Sequence, residues 1–127
     1  MSAFAVQARK YRDQFSGMTA HVAQRATGLL LLIYLFLHVR TIHELKSGPA
    51  AFNAALATFR SPLFKLLEIA LLGTVILHAL NGVRITLIDL GISPTGQRRM
   101  WIYAVGLGGL IFLAGAIPMF LNSVLKF

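Results

Sequence analysis

The stretch "MWIYAVGLGGLIFLAGAIPMFLNSVL", residues 100–125, contains no charged side chain. A bilayer core about 30 Å thick is crossed by roughly 20 apolar helical residues, so this run is long enough to span it. Trp101 and Tyr103 near its start suit the aromatic belt of a membrane interface, and Gly106, Gly108, Gly109 and Gly115 suit close approach of a neighbouring helix. Working back toward the amino terminus, "LLEIALLGTVILHALNGV" is the core of a second span over about residues 62–89, with Pro62 in its first turn. The first span is shorter to the eye, because only "ATGLLLLIYLFLHV" lies between Arg25 and Arg40. Both arginines are therefore expected to snorkel, which gives a helix over about residues 19–42. The third span is placed at about 100–124.

Composition agrees with this pattern. Of 127 residues, 57% are hydrophobic and 13% charged, and mean hydropathy is +0.72. A soluble domain of this size would lack the polar side chains to cover its surface. The fold class is therefore all-α integral membrane, with three transmembrane helices in an up-down bundle and a single domain over 1–127. The net charge of +8 reads as basic flanks that meet anionic headgroups or an acidic partner, and no nucleic acid is expected. The absence of cysteine excludes disulfides and thiolate-bound metal or iron–sulfur clusters from this chain. Residues 1–18 carry Arg9, Lys10, Arg12 and Asp13 without an apolar core of signal-peptide length, so they are expected to remain part of the working protein. Tyr11 and Phe15 among those charges suggest an amphipathic segment against the membrane or a soluble partner.

The connections are short. Ser47-Gly48-Pro49 is a turn signal, followed by an alanine-rich stretch suited to a short interfacial helix, and "LGISPTGQRR" is a tight loop. With three spans the amino terminus and this second loop share a side. That side holds seven of the 12 basic residues, against four for the first loop and its flanks. The positive-inside rule then puts the amino terminus on the cytoplasmic or matrix side.

The chemistry concentrates in "VILHALNGVRITLID", residues 75–89. An ionisable side chain inside a membrane helix is costly and marks a functional candidate. His78 precedes Asp89 by eleven residues, about 16 Å along a helix, and so lies well inside the membrane. On a helical wheel Thr74, Gly82, Ile85 and Asp89 fall within about 40° of it. A glycine one turn from an imidazole leaves room for a flat, bulky cofactor, and neutral imidazole is a usual axial ligand of haem iron. Arg84, about 9 Å nearer the helix end, is placed to meet haem propionates. Spacing alone favours a histidine that hydrogen-bonds another helix over a haem ligand.

"HALNGVRITLIDLG" resembles the signature H-x-x-x-G-x-R-x-x-x-x-D of the cytochrome b subunit, the larger-type membrane anchor, of succinate dehydrogenase; His78, Gly82, Arg84 and Asp89 fill it. Asn81 matches the mitochondrial form, where N-G-[IV]-R is usual. A second family motif, S-x-x-H-R-x-[ST]-G, is met in "HVAQRATG" by Arg25, Thr27 and Gly28. The two motifs cover about residues 19–91, in order, on the first two helices.

The resemblance implies that His78 is an axial ligand of haem b, with the other ligand from a second membrane-anchor subunit, and that Arg84 lies near the propionates. Gly28 and Gly82 become haem-packing positions, and Arg25, His21 and Thr27 become quinone-binding candidates beside the iron–sulfur subunit. The quinone, ubiquinone or menaquinone, would be hydrogen-bonded at its carbonyl by histidine and arginine at the membrane edge. Headgroup binding by an interfacial His21–Arg25 pair is the alternative. The chain departs from the family at His21 for serine, Gln24 for histidine and Ile85 for the histidine that usually follows Arg84. The last removes a propionate neighbour. Asp89 is a candidate on a proton route, or a partner for Arg98 or Arg99. Some relatives in this superfamily hold two haems, and His38, thirteen residues beyond Arg25, is placed as a second haem ligand would be; otherwise it is an interfacial side chain near Arg40 and His43. Glu68 is expected to pair with Lys65 or sit at the headgroups.

No flavin motif or carboxylate-substrate site is present in the sequence. The resemblance therefore implies a haem-bearing anchor of succinate:quinone oxidoreductase, working with a flavoprotein and an iron–sulfur subunit and set in membrane lipid. A di-haem quinol:fumarate reductase anchor and a non-redox structural subunit are the alternatives. The expected location is the bacterial inner membrane, with the mitochondrial inner membrane second.

Overall fold

The computed structural model describes residues 3–91 and 97–125. Four α-helices carry the chain: α1, Ala3–His43; α2, Pro49–Thr58; α3, Pro62–Asp89; and α4, Gln97–Leu125. A 3₁₀ turn, Glu44–Ser47, joins α1 to α2. Among the described residues, three helices are long and apolar enough to cross a membrane: α1 continued through the 3₁₀ turn, α3 and α4.

α1 is longer than the sequence reading expects, because it begins at Ala3 instead of near Thr19. The residues before Thr19 contain no proline, so a helix nucleated in the span propagates backward at little cost. Its 41 residues make a rod of about 60 Å, twice the apolar thickness of a bilayer. Arg40 and His43 stand in its last turn, where positive charge complements the helix dipole.

Glycine makes the turn that follows. Gly48 has φ of +97°, a conformation that side chains disfavour, and its N–H donates to the Leu45 carbonyl at 3.2 Å. Pro49 then opens α2, the short helix expected from the alanine-rich stretch. Ser61 is extended before Pro62, as the residue preceding proline tends to be, and Pro62 opens α3. α3 closes on Gly91, whose φ is +92° and whose N–H donates to the Ile88 carbonyl at 3.0 Å.

α3 is the middle helix, packed against α4 and α1, and α1 also meets α4. The α3–α4 contact is built on small residues. A Cβ added at Gly108 would lie 3.1 Å from Leu80 and 3.3 Å from Ile76, and one added at Gly73 would lie 3.2 Å from Phe112. At Gly115 it would come within 2.8 Å of Leu72. Gly106 and Gly109 face open space. The four glycines expected to serve close packing therefore divide: two carry the α3–α4 contact and two do not.

Burial is inverted relative to a soluble protein. Ala20 and Ala116 are the buried apolar residues among those described, while Thr27, Asn81 and Arg84 are buried polar ones. Large apolar side chains such as Phe36 and Leu110 point outward, at 71% and 69% exposure. In lipid this is the stable arrangement, since apolar surface gains nothing from turning inward and polar groups find partners only between helices.

Candidate functional site

The buried polar residues lie where α1 crosses α3. On α1, Ala20, Gln24, Thr27 and Gly28 recur at helical spacing and form one face; on α3, His78, Asn81 and Gly82 meet it. Thr27 donates its hydroxyl proton to the Ala23 carbonyl at 2.7 Å, and its oxygen stands 3.0 Å from His78 Nδ1. With that proton committed to the backbone, the oxygen accepts from the imidazole. Nδ1 therefore carries hydrogen and Nε2 keeps the lone pair.

Gln24 faces that lone pair. Its Nε2 is 3.5 Å from His78 Nε2, at the outer limit of an amide-to-imidazole hydrogen bond. The carboxamide is held in this orientation by Asn81, whose Nδ2 donates to Gln24 Oε1 at 3.0 Å and to the Ala20 carbonyl at 2.7 Å. Asn81 is 0% exposed. Its Oδ1 accepts from Arg84 Nη1 at 3.5 Å. Arg84 Nε also reaches the Gln97 carbonyl at 3.5 Å, and the guanidinium carbon lies 6.0 Å from the centre of the Trp101 ring. A chain of polar contacts thus runs from Thr27 through His78, Gln24 and Asn81 to Arg84, which reaches the start of α4 at Gln97. No buried side-chain nitrogen or oxygen among the described residues lacks a partner.

The glycines explain the closeness. A Cβ at Gly28 would stand 3.3 Å from His78 Cε1, so the missing side chain lets the imidazole lie against α1. At Gly82 a Cβ would stand 3.5 Å from Gln24 Nε2.

A family model described as succinate dehydrogenase/fumarate reductase transmembrane subunit matches residues 3–117, which include all of this crossing. The chain belongs to that family. It is 34% identical over 102 residues to the succinate dehydrogenase 2 membrane subunit SdhC of Mycobacterium tuberculosis, covering 80% of this chain and 73% of the relative. It is likewise 34% identical over 115 residues to the succinate dehydrogenase hydrophobic membrane anchor subunit of Halobacterium salinarum, covering 90% of this chain and 88% of the relative. The chain is thus a multi-pass membrane-anchor subunit of the succinate dehydrogenase complex.

Within this anchor subunit the remaining candidates fall apart from the crossing. His21 and Arg25 are exposed on α1, on a different side from Gln24 and Thr27. Thr27, grouped with them by the family motif, is 7% exposed, with its hydroxyl engaged by Ala23 and His78. His38 is exposed and stacked on Tyr34, whose hydroxyl lies 3.2 Å from His38 Nδ1 on the same helix. Asp89 is exposed at the end of α3 and makes no ion pair with Arg98 or Arg99 among the described residues. Glu68 pairs with Lys65 at 2.9 Å, as the spacing predicts.

Two members of the polar crossing, Gln24 and Asn81, carry more of the geometry than the sequence reading gives them. Their signal was legible in part: each is a carboxamide in an apolar helix, one turn or less from a motif residue.

Proposed function

We propose that His78 Nε2 of this anchor subunit is an axial ligand of haem b, the second ligand coming from the other membrane anchor, and that exposed His21 and Arg25 contribute to a quinone site shared with the iron–sulfur subunit. The observation that carries this is the 3.0 Å contact of His78 Nδ1 with the Thr27 hydroxyl oxygen, which orients the Nδ1 side of the ring toward α1. A metal-bound histidine normally donates its other ring N–H to a neighbouring oxygen, which fixes tautomer and ring orientation. Iron at Nε2 requires the Gln24 carboxamide to turn aside, a rotation opposed by its bond to Asn81. Haem b, when bound, supplies a one-electron carrier near the quinone.

The protein's own part is to hold and orient. Thr27 holds the imidazole, Gly28 admits it between the helices, and Asn81 braces Gln24 and Arg84. Arg84, at the amino-terminal side of the membrane, offers a positive charge to haem propionates, and Gly82 keeps the adjoining surface low. His21 and Arg25 offer hydrogen-bond donors to a quinone carbonyl, and Asp89 is the carboxylate on a proton route from that side. One haem per complex is the reading proposed, because His38 is exposed and its contact, Tyr34, lies on its own helix, whereas His78 is held from a second helix. Ubiquinone and menaquinone, and succinate oxidation and fumarate reduction, fit these groups equally.

Reduced-minus-oxidised spectra of the purified complex test the central assignment. A b-type band is expected, and it should be lost in His78→Ala while the subunits stay assembled. Full haem retention in that variant would overturn the ligand role. Pyridine haemochrome analysis should give one haem per complex, and a ratio of two would restore His38 to the ligand set.

A further inference from the structure

A cleft of about 490 Å³ opens between the leading half of α1 and the start of α4, adjoining the Arg84 end of the polar crossing through Trp101. It is lined by Tyr11, Arg12, Phe15, Thr19, Arg98 and Trp101, together with Ser16 and Ile102. We propose that this cleft binds one anionic phospholipid, with Arg12 and Arg98 on the phosphodiester and Phe15 and Ile102 against the first methylenes of its chains.

The order of the lining residues carries the argument. α1 and α4 run in the same direction, because one antiparallel span, α3, lies between them in the chain. On α1, Arg12 precedes Phe15 and Thr19 by about 5 and 10 Å of helix rise, and on α4 Arg98 precedes Trp101 and Ile102 by about 5 to 6 Å. Both guanidinium groups therefore stand at the end of the cleft farther from the membrane centre, and the apolar side chains stand toward it. A charged mouth above an apolar floor matches an amphiphile with an anionic head.

Charge complementarity narrows the head further. Among the described residues no acidic side chain lines the cleft, and neither arginine is in an ion pair with a described residue. Arg12 turns its Nε to the Ala8 carbonyl of its own helix at 3.4 Å, which leaves its terminal nitrogens for a ligand. Trp101 and Tyr11 are the residue types that sit at headgroup level. The volume lies within the range of small-molecule sites and suits a headgroup with the first part of its chains. An acidic face of a soluble subunit would meet the same charges but has no use for the apolar floor.

The test uses the whole complex, delipidated in detergent and titrated with phosphatidylglycerol, phosphatidylcholine or inorganic phosphate, with bound lipid read by native mass spectrometry. Phosphatidylglycerol should bind at one site per complex that phosphatidylcholine does not fill. The double variant Arg12→Gln/Arg98→Gln should weaken it about tenfold or more, since each basic residue near a headgroup contributes roughly 1 kcal/mol. Phe15→Ser should weaken phosphatidylglycerol without changing the response to phosphate. Both arginines are exposed, so the double variant is expected to assemble. Unchanged phosphatidylglycerol binding in it would overturn the proposal. So would inorganic phosphate competing as well as the lipid, or loss of the soluble subunits at unchanged lipid binding, which would mark the cleft as a protein-docking surface. None of these readouts depends on haem.

Discussion

Asn81 directs both hydrogens of its Nδ2 at α1, one to the Ala20 carbonyl and one to Gln24 Oε1, and its oxygen serves Arg84. Replacing it with leucine removes three partners at once from a fully buried position. Asn81→Leu should destabilise the bundle by about 1–3 kcal/mol, read as a lower midpoint in thermal unfolding of the complex, because Arg84 is left buried beside an apolar side chain. Thr27 and Gln24 make a contrasting pair around His78. Under the proposed ligation Thr27→Val orphans Nδ1–H and should weaken haem retention about 10- to 100-fold, whereas Gln24→Ala should leave haem content intact, since it frees Nε2. Haem quantified after gel filtration separates the two, and equal losses would count against Nε2 as the free ring nitrogen. Arg25→Leu should depress quinone reduction while sparing succinate oxidation with an artificial acceptor; parallel losses in the two assays would remove Arg25 from the quinone site. Spacing from His78 pointed to Gly82 and Asp89 as its face, yet Asp89 is exposed and the imidazole is gripped by Thr27 and Gln24 from another helix. A helical wheel orders residues around one axis and carries no information about which neighbour fills the space beside it.

At the scale of elements, α3 and α4 are held by glycines that admit opposing side chains. Gly115→Val should cost about 1–3 kcal/mol by overpacking, since even a Cβ there meets Leu72 at 2.8 Å. Gly109→Ala, facing open space, should be near neutral or slightly stabilising. Equal effects of the two on unfolding would contradict the packing described. Both glycines look alike in the sequence, as members of one glycine-rich run; only the register of α4 against α3 tells them apart. The ends of the elements were more legible. Pro49 and Pro62 begin helices and Gly48 and Gly91 end or reverse the chain, because proline and glycine act through their own backbone geometry and need no tertiary partner. The start of α1 was not legible from hydropathy, since a helix that continues into water carries no apolar signal there.

For the whole molecule, three spans require Lys10 and Ser47 to lie on opposite sides of the membrane. The chain has no cysteine, so single replacements report cleanly. In sealed vesicles of known orientation, Lys10→Cys should react with an impermeant thiol reagent from the cytoplasmic or matrix side and Ser47→Cys from the other; labelling of both from one side would overturn the topology. Most of the outer surface of α1 is apolar, from Leu29 to Val39, which suits lipid or the other anchor of the complex. Hydropathy and charge in the sequence were sufficient for the number of spans, their approximate limits and the membrane class, because transfer of a helix into lipid depends on its own composition. Two spaced motifs were sufficient for the family. What the tertiary structure alone decided is which polar side chains share a buried site: Thr27, Gln24, His78, Asn81 and Arg84 come together from separate helices. Their partnership depends on the rotation and register of α1 against α3, and those are fixed by contacts distributed along both helices.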